Sequence, residues 1–221
     1  MKIIDCVQGT PEWLHARLGI PTASEFHRII TATKGDLSKQ ARKYAHQLVA
    51  ETLLGEPLGD AIGNLEWIAR GKLLEPQAVQ QYEFTTDVET RSVGFVTTDC
   101  GRLGCSPDRL VNSTFGSNVR GERGAVEIKC PAPQTHMGFL LDGPGDDYRQ
   151  QVQGQLAIAE LEWVDLYVFH PSLPPVTIRT CRDEPYIAKM RAALTEFLDM
   201  RDEMLAKARA SGFFDAVKEA A

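Results

Sequence analysis

The chain has no surplus of positive charge: among 221 residues, 24 Lys and Arg stand against 30 Asp and Glu, a formal net charge of -6. Basic side chains that neutralise phosphates supply most non-specific affinity for nucleic acid. The balance therefore argues against a tight DNA-binding module, and leaves room for an enzyme whose basic residues line one channel. The five cysteines, Cys6, Cys100, Cys105, Cys130 and Cys181, form no Cys-x-x-Cys pair. Their odd number argues against a disulfide framework or dedicated iron–sulfur ligands, so buried reduced thiols are expected. The histidines, His15, His27, His46, His136 and His170, contain no His-x-x-x-His pair and none is assigned as a metal ligand. No apolar run is long enough to span a bilayer, and Lys2 and Asp5 come too early for a secretory signal; no membrane partner and a cytoplasmic location are expected. Residues 138–145 lack the Gly-Lys-Ser/Thr ending of a phosphate-binding P-loop and read as an ordinary loop. There are no repeats and no low-complexity segments.

What is present is 43% hydrophobic residues, enough for one sizeable core and one domain spanning residues 1–221. The chemistry gathers around Gly104-Cys105-Ser106-Pro107-Asp108 and Val126-Glu127-Ile128-Lys129-Cys130. In a strand, residues two apart share a face, so Glu127 and Lys129 lie side by side while Val126, Ile128 and Cys130 form the opposite, apolar face. Asp108 lies across a hairpin whose polar, Gly-rich connection covers residues 112–124. Two carboxylates with the Ile128 carbonyl between them suit Mg2+, which takes oxygen ligands at ~2.0–2.1 Å and keeps several waters. The adjacent Lys129 can orient or deprotonate an attacking water. The same residues also fit a solvated hairpin with a surface ion pair.

The remaining pattern is α/β. Thr10-Pro11-Glu12 starts a helix that Gly19 stops, with Arg17 in its last turn. Thr22 and Glu25 form a capping box that opens a second helix to about residue 31 and puts Ser24 at its N-terminus. Arg17 and Ser24 can be an anion pocket or an ordinary capped helix with a surface Arg. Ser38 caps a helix running to about residue 54, with Ala41, Tyr44, Ala45, Leu48 and Leu53 on its core stripe. A helix over about 64–82 carries Trp67, Arg70, Leu74 and Ala78 at three- and four-residue spacings; Pro76 inside it kinks the helix and tilts Glu75 towards the metal site, or leaves Glu75 as one exposed acid among several. Strands are expected over 88–98, 104–111, 125–130, 162–170 and 176–181, the last after a turn containing Pro171, Pro174 and Pro175. A helix over 147–161 sets Tyr148, Gln151 and Gln155 on one side, Gln155 reading as part of a solvated face. A final helix begins near residue 185 and passes Met204.

Ser106-Pro107-Asp108 followed by Glu127-Ile128-Lys129 resembles the PD-(D/E)XK nuclease signature. Six ordered blocks resemble the lambda-exonuclease, or YqaJ-type viral recombinase, family: Trp13 to Gly19, Thr22-Ala23-Ser24, Gly71 through Glu75 to Ala78, Cys105 to Asp108, Glu127 to Pro131, and Tyr148 through Gln151 to Gln153. The resemblance runs from about residue 8 to 170. It implies a mixed central β-sheet flanked by helices, the restriction-endonuclease-like core. It also implies a 5′-to-3′ double-strand DNA exonuclease of phage or prophage recombination, active in a bacterial host cell. Asp108, Glu127 and the Ile128 carbonyl would hold Mg2+, with Mn2+ expected to substitute and either one or two ions bound. Lys129 would hold the water, Glu75 and Gln151 would support the site, and Arg17, Ser24 and Ser106 would receive the terminal 5′-phosphate. The implied partners are double-stranded DNA ends, a single-strand annealing protein and two further copies of the chain in a ring-shaped homotrimer. A restriction-type or structure-specific endonuclease would use the same residues, whereas a non-catalytic end-binding protein would be expected to have lost one of Asp108, Glu127 and Lys129.

Overall fold

The structure is a computed structural model that describes residues 1–58, 65–111 and 123–212. Most of the 112–124 connection and the side chain of Trp67 lie outside the described residues. The chain opens with a short strand, β1 (Lys2–Ile4), and a helix, α1 (Pro11–Ala16). Thr10 caps α1 as its sequence requires, its hydroxyl accepting from the Trp13 N–H, and Arg17 closes it. The capping box expected at Thr22 does not form. A 3-10 turn (Ala23–Glu25) leads instead into a single turn of helix, α2 (Phe26–Ile29), and Thr22 makes no side-chain cap. The Thr22 hydroxyl is taken by Arg17 and the Glu25 carboxylate by Arg28, so both members of the box have stronger partners elsewhere.

Next come α3 (Ala41–Leu54) and the long α4 (Leu65–Thr86), which accommodates Pro76. The expected strand over 88–98 is two strands in different sheets, β2 (Thr90–Ser92) and β3 (Phe95–Thr97). The break falls at Gly94, where a Cβ would stand 2.5 Å from the carbonyl oxygens of Ile4 and Cys6. The expected strand over 104–111 is likewise split, into β4 (Gly104–Cys105) and β5 (Arg109–Val111), because Pro107 has no N–H to give a ladder. Then follow β6 (Gly124–Lys129), α5 (Pro133–Asp142), α6 (Arg149–Ile158), β7 (Trp163–His170), β8 (Leu173–Cys181) and α7 (Glu184–Ala210). α5 corrects the loop expected from residue 138, whose helical part continues to Asp142 before Gly143 ends it. β8 begins before Val176 and absorbs Pro174 and Pro175, which an edge strand tolerates.

One sheet is ordered β1-β3-β4 and the other β2-β5-β6-β7-β8. In the second, β6 and β7 are parallel and every other pairing is antiparallel. A parallel pair needs a crossover, which α5 and α6 supply. β7 is buried from Trp163 to Phe169, the near-continuous apolar run of a central strand. On one face of the sheet, Val126, Ile128, Tyr167 and Phe169 pack against Ala78 and Tyr82 of α4. On the other, Ala125 and Val164 join the main core with α2, α3, α6 and α7, including Phe26, Leu48, Leu156 and Phe197. α4 is further tied down by the Tyr82 hydroxyl, which donates to Asp165 at 2.7 Å, while Arg179 donates to both Asp165 oxygens at 2.8 and 2.9 Å. The five cysteines are free, but only Cys105 is buried and Cys100 and Cys181 are exposed, since the last two sit on a turn and on an edge strand. Among the described residues, no helix is long and apolar enough to cross a membrane.

Candidate active site

Between β2 and β5 the chain changes sheets twice, at Val93-Gly94 between β2 and β3 and at Ser106-Pro107-Asp108 between β4 and β5. Gln8 clamps the two crossings together, its side-chain NH2 donating to the carbonyls of Val93 and Pro107 at 2.9 Å each. Asp108 emerges from this clamp just before the β5–β6 ladder, in which Arg109 stands opposite Val126. Its Oδ2 accepts from the Ile128 N–H at 2.6 Å. The break therefore delivers Asp108 against the strand that carries Glu127 and Lys129.

Period-two alternation turns Glu127 towards α6 and Ile128 towards α4. Glu127 is buried and fully engaged: Oε1 accepts from Lys129 Nζ at 2.7 Å and from Gln151 Nε2 at 2.6 Å, and Oε2 accepts from Gln155 Nε2 at 2.6 Å. Gln155 is thus part of the site rather than a solvated face; it is 1% exposed. Its signal was the four-residue spacing from Gln151, which stacks the two amides one helical turn apart. Lys129 Nζ also lies 3.5 Å from Gln151 Oε1 and 5.0 Å from the centre of the Tyr148 ring. Gln8 carried no motif and was not legible as a site residue. Gln153, in the same block as Gln151, is a staple instead, donating to the Cys181 carbonyl and accepting from the Asp183 N–H.

Burial, and then the neighbouring Glu127 carboxylate, hold the Asp108 carboxyl well above the usual carboxylate range. Glu75 of α4 is raised by burial and by Glu127, against the pull of Arg109 and Lys72, and it contributes to the rise at Asp108. Burial works to lower the Lys129 pKa, but Glu127 and Asp108 outweigh it and the amine is held as an ammonium. A carboxyl pushed towards protonation by burial and by a second carboxylate is one that a divalent cation stabilises in its charged form. Asp108, Glu127 and the Ile128 carbonyl fit such an ion as two carboxylates and a neutral oxygen. Among the described residues, no three His, Cys, Asp or Glu side chains are grouped to hold a metal.

The residues expected at a phosphate pocket are brought together on the β4 side. The Arg17 guanidinium lies 4.0 Å over the Trp13 ring, and Trp13 Nε1 donates to Ser106 Oγ at 3.0 Å. Arg17 also donates to Thr22 Oγ1 at 3.1 Å, and that oxygen is 3.3 Å from the hydroxyl of the exposed Ser24. Burial, and then the charge of Glu127 against that of Arg17, pushes the Cys105 thiol up. A cavity of ≈ 310 Å³ opens beside Arg17, lined among others by Arg28, Tyr44, Gln47 and Glu51.

The fold is of the PD-(D/E)XK type. An alkaline exonuclease from Laribacter hongkongensis superposes with a TM-score of 0.78 at 28% identity, over 92% of this chain and 98% of that one. The same enzyme in complex with dAMP gives 0.77 at 28% identity with the same coverage. A phage-related exonuclease from Haemophilus somnus 129PT shares the fold at 16% identity, with a TM-score of 0.66 over 86% of this chain and 96% of that one. No curated protein matches the sequence. The model of the YqaJ-like viral recombinase domain matches residues 12–162, which contain the strand break at Asp108, the Glu127–Lys129 pair and α6, and the chain belongs to that family.

Proposed function

We propose that the protein is a Mg2+-dependent exonuclease that degrades double-stranded DNA from 5′-phosphorylated ends in phage recombination. The observation that carries the reading is the meeting of Asp108, Glu127 and Lys129 at one point, supported by the likeness to an alkaline exonuclease whose structure has also been solved with a mononucleotide, dAMP. In this reading Asp108, Glu127 and the Ile128 carbonyl hold Mg2+, or Mn2+ in its place. The ion supplies charge neutralisation for the scissile phosphoryl group and its attacking water. Lys129, kept charged by its carboxylate neighbours, acts as a donor that positions the water rather than as the base that takes its proton. Gln151 and Gln155 hold Glu127 in one rotamer with its oxygens fixed. Glu75 adds a third negative charge at the edge of the site.

Arg17, Ser24 and Ser106 receive the terminal phosphate, which carries more charge than an internal diester and is favoured by a guanidinium. Anchoring the end there sets the first phosphodiester over the carboxylates and converts binding energy into position. By family resemblance, three copies form a ring around DNA and an annealing protein takes the strand left behind. The test compares a linear duplex with a covalently closed circle of the same sequence, each with Mg2+ and with chelator. Degradation of the linear form alone, and only with Mg2+, is expected; opening of the circle would make the enzyme an endonuclease.

A further inference from the structure

Arg70 is placed to do something that none of the assigned site residues does. Positions 70, 74, 78 and 82 of α4 are four apart and share one face. Leu74, Ala78 and Tyr82 use that face to pack against Val126, Ile128, Tyr167, Phe169 and Cys130. Tyr82, at one end of this stretch, is bonded to Asp165 near the start of β7, and Leu74, eight residues earlier, packs against the same cluster as Cys130 at the exit of β6. One turn further, about 6 Å along the axis, Arg70 reaches past the strand ends where the chain leaves at Cys130 and His170. Its charge is felt at His170.

Arg70 also differs from the other arginines in its pairing. Its Nε is buried and has no hydrogen-bond partner, and the side chain makes no ion pair with any described residue. Arg42, Arg91, Arg191 and Arg209, also without such a partner among the described residues, are exposed and solvated. A part-buried guanidinium without an acceptor is costly. The Tyr167 hydroxyl, buried and unpartnered, lies in the field of the same Cys130 thiol. α4, which carries both Arg70 and Glu75, covers the sheet face opposite the one from which Glu127 meets α6, whereas Arg17 stands on the β4 side.

We propose that Arg70 binds a backbone phosphate of the DNA, forming a second guanidinium contact across the carboxylate centre from the terminal-phosphate pocket. The assignment rests on the nuclease reading and extends it: two phosphates gripped on opposite sides fix the strand over the scissile bond, where a single anchor would let it swing. The contact reads charge and not sequence.

The experiment measures affinity for a short 5′-phosphorylated duplex in chelator across a range of KCl, for wild type, Arg70→Gln and Arg70→Lys. Each phosphate contact contributes about 0.9 to the slope of log affinity against log salt. Arg70→Gln is expected to flatten the slope by about that amount and to weaken binding, while Arg70→Lys keeps the wild-type slope. In Mg2+, Arg70→Gln retains the preference for 5′-phosphate over 5′-hydroxyl ends that Arg17 confers. A purely structural role would lower the melting temperature and leave the slope unchanged, and that result overturns the proposal while leaving the nuclease reading intact. Wild-type protein with no salt-dependent duplex binding would overturn both.

Discussion

Glu127 accepts three hydrogen bonds from three side chains, and their removal has different consequences. Gln155→Ala leaves Oε2 buried and unpaired, which costs about 1.5–3 kcal/mol because the acceptor is charged. It is expected to lower turnover by about 10–100-fold, the range for residues that orient a metal ligand; chemical denaturation and single-turnover kinetics read the two effects. Asp108 makes a pH prediction. Its folded pKa is raised, so the folded protein holds that proton more tightly than the unfolded chain does. Without metal, its contribution to stability is present at low pH and is lost as pH rises through the raised value. Mg2+ competes with the proton, so the thermal shift Mg2+ produces should grow with pH over that window; a shift that does not change with pH contradicts the assignment of Asp108 as a ligand. The meeting of Asp108, Glu127 and Lys129 was legible because period-two alternation and the hairpin pairing of adjacent strands are local rules. Gln155 was half legible, since spacing gives the face of a helix but not what covers it. Gln8 was not legible at all: it works through backbone carbonyls 85 and 99 residues away, which no local pattern encodes.

The elements were read well where one rule governs a whole segment and less well where tertiary contacts cut a segment short. The central strand β7 and the helices α3 and α6 follow from apolar runs and helical spacing. The two split strands do not, because alternation continues across Gly94 and Pro107 and only the close approach of β1 and the Gln8 clamp show where the sheet changes. α4 carries both Glu75 and Arg70, so its seat on the sheet matters to the site. Tyr82→Phe removes its bond to the buried Asp165 and should lower stability by about 1.5–3 kcal/mol, with Mg2+ affinity largely kept, measurable by urea unfolding and calorimetry. α7 is capped by Asp183, whose side chain accepts from the Tyr186 N–H. That N–H, followed by Arg149, holds the Asp183 carboxyl below its usual pKa. The stability this confers is present above the unfolded value of ~3.9 and is lost as pH falls through the lowered folded one. As a cap substitution, Asp183→Ala should cost about 1 kcal/mol near neutral pH and less once both states are protonated.

For the whole molecule, the acidic net charge is the property that the proposed function must answer. A ring of three copies would concentrate the few basic residues on an inner wall, and light scattering of the purified protein should report a trimer; a monomer at micromolar concentration contradicts the ring. Fold class was legible because the strand and helix order allows few topologies, whereas assembly was not, since no single chain shows which of its exposed faces meets another copy. The central claim, that this metal centre removes nucleotides from the 5′ end of duplex DNA, is tested most directly by following a linear 5′-phosphorylated duplex labelled at the 5′ end of one strand or, separately, at its 3′ end. With Mg2+, the 5′ label should appear as mononucleotide at the earliest times and the 3′ label only later, with neither released by Asp108→Ala. Release of the 3′ label first, or equal release in chelator, would contradict the account.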